Sequence, residues 1–520
     1  MPDGDYTLLV IYLENADLDS TLYPDTASLL AANRLEGSVT LSGGQLSGSL
    51  GTETVSGRLN GSGLVMQITD DPTSPTSFTN VSGQVGLLGS VAGTYYNLDL
   101  SQPGTVSRTD GLFVAALVPV AGLQPAAVAQ TVARLYGGEL HTLFQDVFGS
   151  DHDTGYGTIQ FTGLDPLANQ VTMSGNGFTV NFVSGVSAGT SDTVQLLQGT
   201  FLQTGDGRPT GLLVLEMLDS TGDKAFFILP LGNRRGIYVA VDTDRRNSVD
   251  ASAQDQAYAI GHAFLSAAGP VVPQLKAATS YGIQAYGFAS HIASEIFNPD
   301  YSPGMWSFSL SCDVPANAGV HSWDASAGIN GYFLPGVVAF SSLGDYTLRS
   351  TSSLMFEVYE GGGLIGQLSV GGCFDSDTRD WADCDATHVL PAHLHPGLIL
   401  ARAREVGSTL PDIVPKTFDY LERPVYAYNE DMTRLSALRQ GTFKVDGTGS
   451  GQATLVMDGG SSSLDVEQTN GIMHAVGTQN SDRLDIYWIT GVPRGLYLRS
   501  QPAKLGAYII LEAGEVFLSD

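Results

Sequence analysis

The sequence predicts a mainly β protein, made of several tandem antiparallel β-sandwich-like or barrel-like blocks that helical segments join. Glycine accounts for 63 of the 520 residues, while charged residues make up only 15%, which is typical of short strands and tight turns. Apolar and polar residues alternate through most of the chain, which is the period of a strand with one buried face. Short glycine-aromatic phrases recur far apart, which indicates tandem repetition.

The first predicted β block covers residues 1–122. Its alternation is clear at Val39 and Leu41, and glycine- and serine-rich breaks separate the apolar ladders, as expected of short antiparallel strands. Residues 123–150 then place apolar side chains at helical spacing in "PAAVAQTVARLYGGELHTLFQDVF". We therefore predict a helical connector after the first block.

The second predicted β block covers residues 151–248 and contains apolar ladders such as "GTIQF", "GLLVLEML" and "KAFFILPL". It is followed by 249–300, where apolar residues recur at helical spacing on either side of Pro270 and Pro273. This second stretch is also predicted to be a helical connector.

Two more predicted β blocks complete the chain. The third, 301–425, has the same alternating texture and carries a loop rich in His, Asp and Cys. The fourth, 426–520, contains "GTFKV", "ATLVM", "LDIYWI" and "AYIILEA". The sequence therefore predicts four β blocks.

Two phrases occur twice in the same order. "QGTF" at 198–201 precedes "RGIYV" at 235–239, and "QGTF" at 440–443 precedes "RGLYL" at 494–498. We interpret this as a degenerate duplication, in which each phrase is expected on equivalent strands of the second and fourth blocks. The arginine of each phrase is interpreted as structural. Small antiparallel units with "GTF" openings resemble the calycin-like barrels of bacterial surface lipoproteins, a resemblance that covers scattered tetrapeptides and implies no binding residues.

The net charge of the chain limits the classes of partner that it can bind. A net charge of −29 and a pI near 4.4 repel nucleic acids and anionic membranes, since both are bound by clustered Lys and Arg. No run of about 18 apolar residues predicts a membrane-spanning helix. "YTLLVIYL" at 6–13 is too short for a signal core and follows Asp3 and Asp5, so no signal peptide is expected in this chain. The acidic, β-rich composition favours an extracellular, periplasmic or cell-surface location.

Aspartates at alternate positions form the first candidate metal site. Asp242, Asp244 and Asp250 lie in "DTDRRNSVD", and Asp375 and Asp377 lie in "DSDTRDWAD". Alternate carboxylates converge on Ca²⁺ in many loops, although "DTDRRNSVD" is not the start of an EF-hand. Calcium is therefore the leading predicted cofactor, and turn or helix-cap duty is the alternative.

Histidines form the second candidate metal site, with His388, His393 and His395 in "THVLPAHLHPG". An H-x-H pair on a strand directs both imidazoles to one face, which suits zinc. The phrase resembles the metal-binding strand of amidohydrolases. That family requires an α/β barrel, which the β-rich ladders here do not predict. Zinc is accordingly the less favoured cofactor, and a loop of solvated histidines is the alternative.

Three cysteines and one further histidine have structural interpretations. Cys373 and Cys384 flank an Asp-rich loop and are predicted to form a disulfide, while a Cys312–Cys373 bond and three reduced thiols are the alternatives. His474 alternates with apolar residues in "GIMHAVG". It is interpreted as a buried histidine whose hydrogen bonds are satisfied.

No nucleophile elbow, P-loop or H-E-x-x-H motif occurs in the sequence. The favoured function is therefore that of an exported or surface-exposed binding or structural protein of a bacterial envelope or extracellular assembly. Its expected partners are a protein or a glycan, or further copies of itself. The alternatives are a secreted metal-dependent or carbohydrate-active hydrolase with its site at 375–395, and a virion structural protein.

Overall fold

The chain forms two compact units, Met1–Val272 and Pro273–Asp520. A computed structural model describes residues 1–14, 30–31, 33–102, 106–135, 139–149, 154–173, 175, 177–184, 189–233, 235–241, 257–267, 275–289, 305–314, 321–324, 329–334, 337–342, 350–359, 363–375, 380–382, 395–410, 412–428, 431–447, 451–457, 459–502 and 508–519. Among the described helices, none has the length and apolar character needed to cross a lipid bilayer.

The first sheet of unit 1 is a closed barrel of eight antiparallel strands in chain order, sealed where its first strand pairs with its last. Inward side chains, Val39 and Leu41 among them, form an apolar core, so the alternation predicts these strands correctly. The strands are β1 (Gly4–Glu14), β2 (Arg34–Ser42), β3 (Gln45–Leu50), β4 (Glu53–Asn60), β5 (Gly63–Thr69), β6 (Ser77–Val85), β7 (Ser90–Asp99) and β8 (Ser107–Pro119).

The second sheet of unit 1 follows helix α1 (Pro125–Leu135). Strand β9 pairs with both β17 and β10, so eight of the nine strands form a ring, and β11 pairs with β10 outside it. Val128 of α1 packs into the core of this ring. The strands are β9 (Glu139–Gly149), β10 (Thr154–Asp165), β11 (Gln170–Met173), β12 (Gly177–Ser184), β13 (Ser191–Gln203), β14 (Pro209–Leu218), β15 (Lys224–Pro230), β16 (Arg235–Val241) and β17 (Ala257–Ala267).

The first sheet of unit 2 is antiparallel, in the order β19-β18-β26-β24-β23-β22-β21-β20, with β25 paired to β24. Its strands are β18 (Thr279–Ala289), β19 (Met305–Val314), β20 (His321–Asp324), β21 (Ile329–Leu334), β22 (Val337–Ser342), β23 (Ser350–Tyr359), β24 (Gly363–Asp375), β25 (Asp380–Ala382) and β26 (His395–Glu405).

The second sheet of unit 2, called barrel 4 below, is a closed barrel of eight strands in chain order. Helix α2 (Met432–Leu435) lies between its first two strands, and Asp431 caps the helix by accepting from the backbone N–H of Thr433. The strands are β27 (Lys416–Ala427), β28 (Gln440–Asp446), β29 (Gln452–Met457), β30 (Gly460–Thr469), β31 (Ile472–Gln479), β32 (Asp482–Trp488), β33 (Arg494–Pro502) and β34 (Tyr508–Ser519).

Each unit packs two sheets together through apolar outer faces. In unit 1, Val114 of β8 belongs to the same buried cluster as Val214 of β14. In unit 2, Leu398 and Leu400 of β26 share a buried cluster with Leu496 of β33. The strands at these contacts are therefore buried on both faces, one lining a sheet's own core and the other the contact between sheets.

The predicted helical connectors are wrong for most of their described length. Helix α1 occupies part of 123–150, but β9 completes that stretch, and the described parts of 249–300 form β17 and β18. Strand β17 pairs on both sides, with β16 and with β9. Its two faces are both buried, since Ile260 belongs to one core cluster and Ala263 to another. The sequence of the strand therefore lacks the alternation that identifies a half-exposed strand and resembles that of a buried helix.

Only one of the two repeated phrases lies on equivalent strands in its two copies. "QGTF" lies on β13, the fourth strand of its ring, and on β28, the second strand of barrel 4, so its predicted equivalence is wrong. The second phrase begins β16 and β33, the penultimate strand in both. Arg235 and Arg494 are buried in both copies, while Tyr238 and Tyr497 belong to the inward cores. The phrase therefore marks a strand that is buried on both faces.

The glycine of this phrase is required by backbone packing. A Cβ at Gly495 would lie 2.4 Å from the carbonyl oxygen of Tyr487, whereas a Cβ at Gly282 on β18 would meet nothing within 4 Å. We expect Gly495→Ala to lower the free energy of unfolding of unit 2 by about 1–3 kcal/mol through overpacking. Gly282→Ala should be neutral or slightly stabilising. Urea unfolding followed by tryptophan fluorescence measures both, and equal midpoints for the two variants would contradict the steric argument.

Candidate functional site

A polar pocket opens at one end of barrel 4 and is called the barrel mouth below. Its cavity volume is about 460 Å³, within the range of about 300–1,000 Å³ usual for small-molecule sites. Met457 is the one apolar residue among those that line it. The lining residues are Asp431, Thr433, Arg434, Arg439, Met457, Gln479, Asn480, Asp482, Arg499 and Gln501.

The barrel mouth arises from a change of composition along the inward positions of the strands. Every second residue of a strand faces the same side, so Glu422 follows the core residue Tyr420 on β27, and Arg499 follows the core residue Tyr497 on β33. One end of the barrel is filled by aromatic side chains, with Trp488 packed edge-to-face on Phe443 at 5.1 Å. The interior is thus apolar at one end and ionic at the other.

Two glutamates lie beneath the mouth, and both have a relative exposure of 0%. Glu422 accepts from the Tyr420 hydroxyl at 2.8 Å and from Nη2 of Arg499 at 2.5 Å. Glu512 accepts from Nη1 of Arg439 at 2.7 Å and from the Tyr497 hydroxyl at 2.7 Å. Each buried carboxylate therefore has at least one arginine and one tyrosine donor, as a buried charge requires.

One nitrogen joins the two carboxylates. Nη1 of Arg439 lies 3.4 Å from Oε2 of Glu422 and 2.7 Å from Oε1 of Glu512. Burial lowers the pKa of Arg439, but the two glutamates outweigh it and raise the pKa overall. Burial raises the pKa of Glu422, against the opposing charge of Arg499. The pKa of Arg499 is raised in the same way, by Glu422 against its burial, so both arginines stay charged.

Arg434 is held by electrostatics rather than by directed hydrogen bonds. Its Nε lies 3.3 Å from Oδ2 of Asp431, and its Nη2 lies 3.6 Å from Oδ2 of Asp482. Asp482 also accepts from Nε2 of Gln501 at 2.7 Å. The rim of the mouth thus combines a cation with carboxylate and amide groups that retain hydrogen-bonding capacity.

The two buried glutamates do not face the open space of the mouth. Both glutamates are covered by their arginine and tyrosine donors, so an incoming substrate does not reach either carboxylate. The groups that line the open space are arginine, aspartate, amide and hydroxyl side chains. Such a lining suits a small polar ligand and offers little to an apolar one.

A second ionic cluster lies on the outer face of barrel 4 around His474. Its Nδ1 lies 2.9 Å from Oε1 of Glu467, and its Nε2 lies 2.8 Å from Oδ1 of Asp485. The imidazole stacks on Tyr487 at 4.3 Å with an interplanar angle of 3°. Arg483 also binds Asp485 through two nitrogens. His474 is therefore satisfied as expected, but it is partly buried and bonded to carboxylates rather than enclosed in a core.

The predicted metal sites fall largely where the structure does not reach. Asp375 ends β24 and His395 begins β26, and only the backbone of each is described. In the described part of the chain, no group of three or more His, Cys, Asp or Glu side chains is placed to hold a metal ion. The binding of calcium or zinc by this chain therefore stays a prediction. The other predicted ligands lie outside the described residues and are Asp242, Asp244, Asp250, Asp377, His388 and His393.

The described residues do not test the cysteine predictions. Cys312 is buried on β19. Cys373 lies in β24, where its side chain is not described, and Cys384 lies outside the described residues. The Cys373–Cys384 bond stays a prediction.

The ionic cluster of barrel 4 is not identified by the sequence reasoning. Glu422 and Glu512 are 90 positions apart and become neighbours only when β27 pairs with β34. A local signal exists in "FDYLERP" and "IILEAGEVF", where a charged residue occupies a position that the alternation assigns to the core. Charged residues at predicted inward positions are the pattern that would have located the site.

Comparison with protein-family models gives no match, and no curated protein matches the sequence. The class of protein therefore rests on the fold. The chain is a mainly β protein of several antiparallel sheets, two of which are closed eight-stranded barrels. The polar mouth of the second closed barrel is a candidate site within the described residues.

The buried ion pair at the floor of the mouth should be costly to break. Arg499→Met leaves Glu422 buried without its principal cation, so we expect unit 2 to lose about 3–5 kcal/mol of unfolding free energy at pH 7. The matched control is Lys444→Met, which breaks an ion pair with Asp446 whose side chains are 59% and 40% exposed. That loss should stay below about 1 kcal/mol. Urea unfolding measures both, and similar losses for the two variants would argue against a buried cluster.

The His474 cluster predicts a pH dependence of stability. Burial lowers the pKa of His474, but its hydrogen bonds to Asp485 and Glu467 outweigh this and raise the pKa above 6.5. A raised folded-state pKa stabilises the fold fully below the unfolded value, and the contribution disappears as the pH rises through the folded value. The unfolding midpoint of unit 2 should therefore fall as the pH rises from 6 upward. His474→Gln should flatten this slope, and an unchanged slope would exclude the histidine as its source.

Proposed function

We propose that this chain is an exported or surface-exposed binding protein of a bacterial envelope or extracellular assembly, and that the barrel mouth binds a small polar ligand. The single observation that carries the proposal is the open, almost wholly polar pocket of about 460 Å³ at the end of a closed barrel. Mouths of eight-stranded barrels are recurrent sites for one small ligand. The rigid strands around the pocket hold the binding groups in place before the ligand arrives.

The energetics of the ionic cluster support a binding role over a purely structural one. Removing arginine and glutamate charges from water costs several kcal/mol per ion, and well-packed apolar residues at such positions often give equal or greater stability. Barrel 4 nevertheless keeps Arg434 and Arg439 at an open mouth, where their side chains are 25% and 20% exposed. Binding of a ligand that accepts hydrogen bonds from these groups would explain why the arginines occupy these positions, whereas a contribution to stability does not.

The setting of the proposal follows from charge and composition. With a net charge of −29, the surface repels nucleic acids and anionic membranes. The partners we propose are a glycan or a protein at a cell surface. A glycan presents hydroxyl groups that match the mixed donors and acceptors of the mouth.

A ligand panel tests the proposal directly. Glucose, glucuronate, glutamate and inorganic phosphate are added singly, and the thermal midpoint of unit 2 is measured. We expect at least one compound to raise the midpoint, because binding to the folded state alone adds about 2.7 kcal/mol at a hundredfold excess over Kd. Gln501→Trp, which fills the mouth, should abolish the shift.

The control for this experiment is Gln452→Trp. Gln452 is also an exposed strand glutamine of barrel 4, but it is not among the residues that line the mouth. This variant should keep the full shift. If no compound changes the midpoint, or if Gln501→Trp keeps the shift, the barrel mouth is not the binding site.

A further inference from the structure

Resting on the proposed function, we propose that the barrel mouth recognises a hydroxylated carboxylate, a sugar acid of the uronic type. Its carboxylate is bound by Arg439 with help from Arg434, and its hydroxyl groups are bound by Asp431 and Asp482 at the rim. This assignment goes beyond polar binding, because it specifies one acidic group and several hydroxyl groups in a single ligand.

The proposed position of the ligand carboxylate follows from which nitrogens of Arg439 already donate hydrogen bonds within the protein. Its recorded hydrogen bonds all leave from Nη1, to Glu422 and Glu512. Within the described part of the chain, Nε and Nη2 therefore have no acceptor. These two nitrogens form the edge of a guanidinium that donates two parallel hydrogen bonds to a carboxylate. Arg439 lines the pocket, so this edge is the natural receptor for a ligand carboxylate.

The same edge binds carboxylates elsewhere in this chain. Nε and Nη2 of Arg108 donate to Asp110 at 3.0 and 2.8 Å. Nε and Nη2 of Arg483 donate to Asp485 at 2.8 and 2.9 Å. In Arg439 the protein itself supplies acceptors for Nη1 alone. The edge formed by Nε and Nη2 is left for the carboxylate of another molecule.

The hydroxyl groups follow from the aspartates at the rim. Asp431 and Asp482 present carboxylate oxygens beside Asn480 and Gln501, all of which line the pocket. A hydroxyl group donates to a carboxylate and accepts from an amide or a guanidinium, so it suits a wall that offers both. A compact anion such as inorganic phosphate has few protons to donate and is repelled by the two aspartates. The rim therefore selects for hydroxyl groups.

Calorimetric titration of the whole chain with glucuronate, glucose and inorganic phosphate tests the inference. We expect glucuronate to bind at least about tenfold more tightly than glucose, which lacks the carboxylate, and more tightly than phosphate, which lacks the hydroxyl groups. Arg439→Lys keeps the charge near Glu422 and Glu512 but loses the paired edge. It should weaken glucuronate binding by about tenfold and leave glucose binding unchanged.

The matched control is Arg483→Lys, which removes an equivalent paired edge outside the mouth and should change neither affinity. Equal affinities for glucuronate and glucose would overturn the sugar-acid inference and leave the proposed function standing. Failure of every probe to bind, or glucuronate binding that Gln501→Trp leaves unchanged, would overturn both. If Arg439→Lys does not fold, the ratio of glucuronate to glucose affinity in the unmodified chain decides the question.

Discussion

The fold depends on strands that are buried on both faces. A strand of a closed barrel lines its core with one face, and its other face meets solvent unless a second sheet covers it. In unit 1, Gly111–Val118 of β8 and Thr210–Met217 of β14 are continuously buried. In unit 2, the same holds for Arg494–Ser500 of β33. Because neither face of these strands reaches water, they join two cores, and the sheets of each unit stabilise one another.

This constraint explains why one phrase occurs twice. In both copies the penultimate strand begins with a buried arginine, and a glycine that lies close to a neighbouring carbonyl oxygen follows. An outward aliphatic residue and an inward tyrosine come next. Such a strand fits both the core of its own sheet and the contact with the second sheet. Arg235 and Arg494 hold the same place in different sheets. The repetition therefore concerns contacts between sheets, and "QGTF", which lies at no such equivalent place, repeats without structural correspondence.

Local pattern predicts the solvent-facing strands well and the doubly buried ones poorly. Alternation at Val39 and Leu41 identifies β2 because one face of that strand is exposed. Strand β17 lacks such a contrast, and its sequence is indistinguishable by period from a buried helix. The ionic floor of barrel 4 is harder still to predict, because Glu422 and Glu512 meet only through the closing strand pair. A charge at a predicted core position indicates that a partner exists, but not which distant residue supplies it.

The closing pair also governs the order in which barrel 4 can form. Seven of its strand pairs join strands that are consecutive in the chain, whereas the pairing of β27 with β34 joins the first strand to the last, as in Asp419 with Ser519. Loop-closure entropy makes that step the slow one, and until it occurs two strand edges are open to other chains. The hydrogen bonds from Arg499 to Glu422 and from Arg439 to Glu512 join the two ends of the barrel and form only with that closing pair. The polar floor thus stabilises only the completed barrel. A ribosome-bound chain that still lacks β34 cannot form these hydrogen bonds.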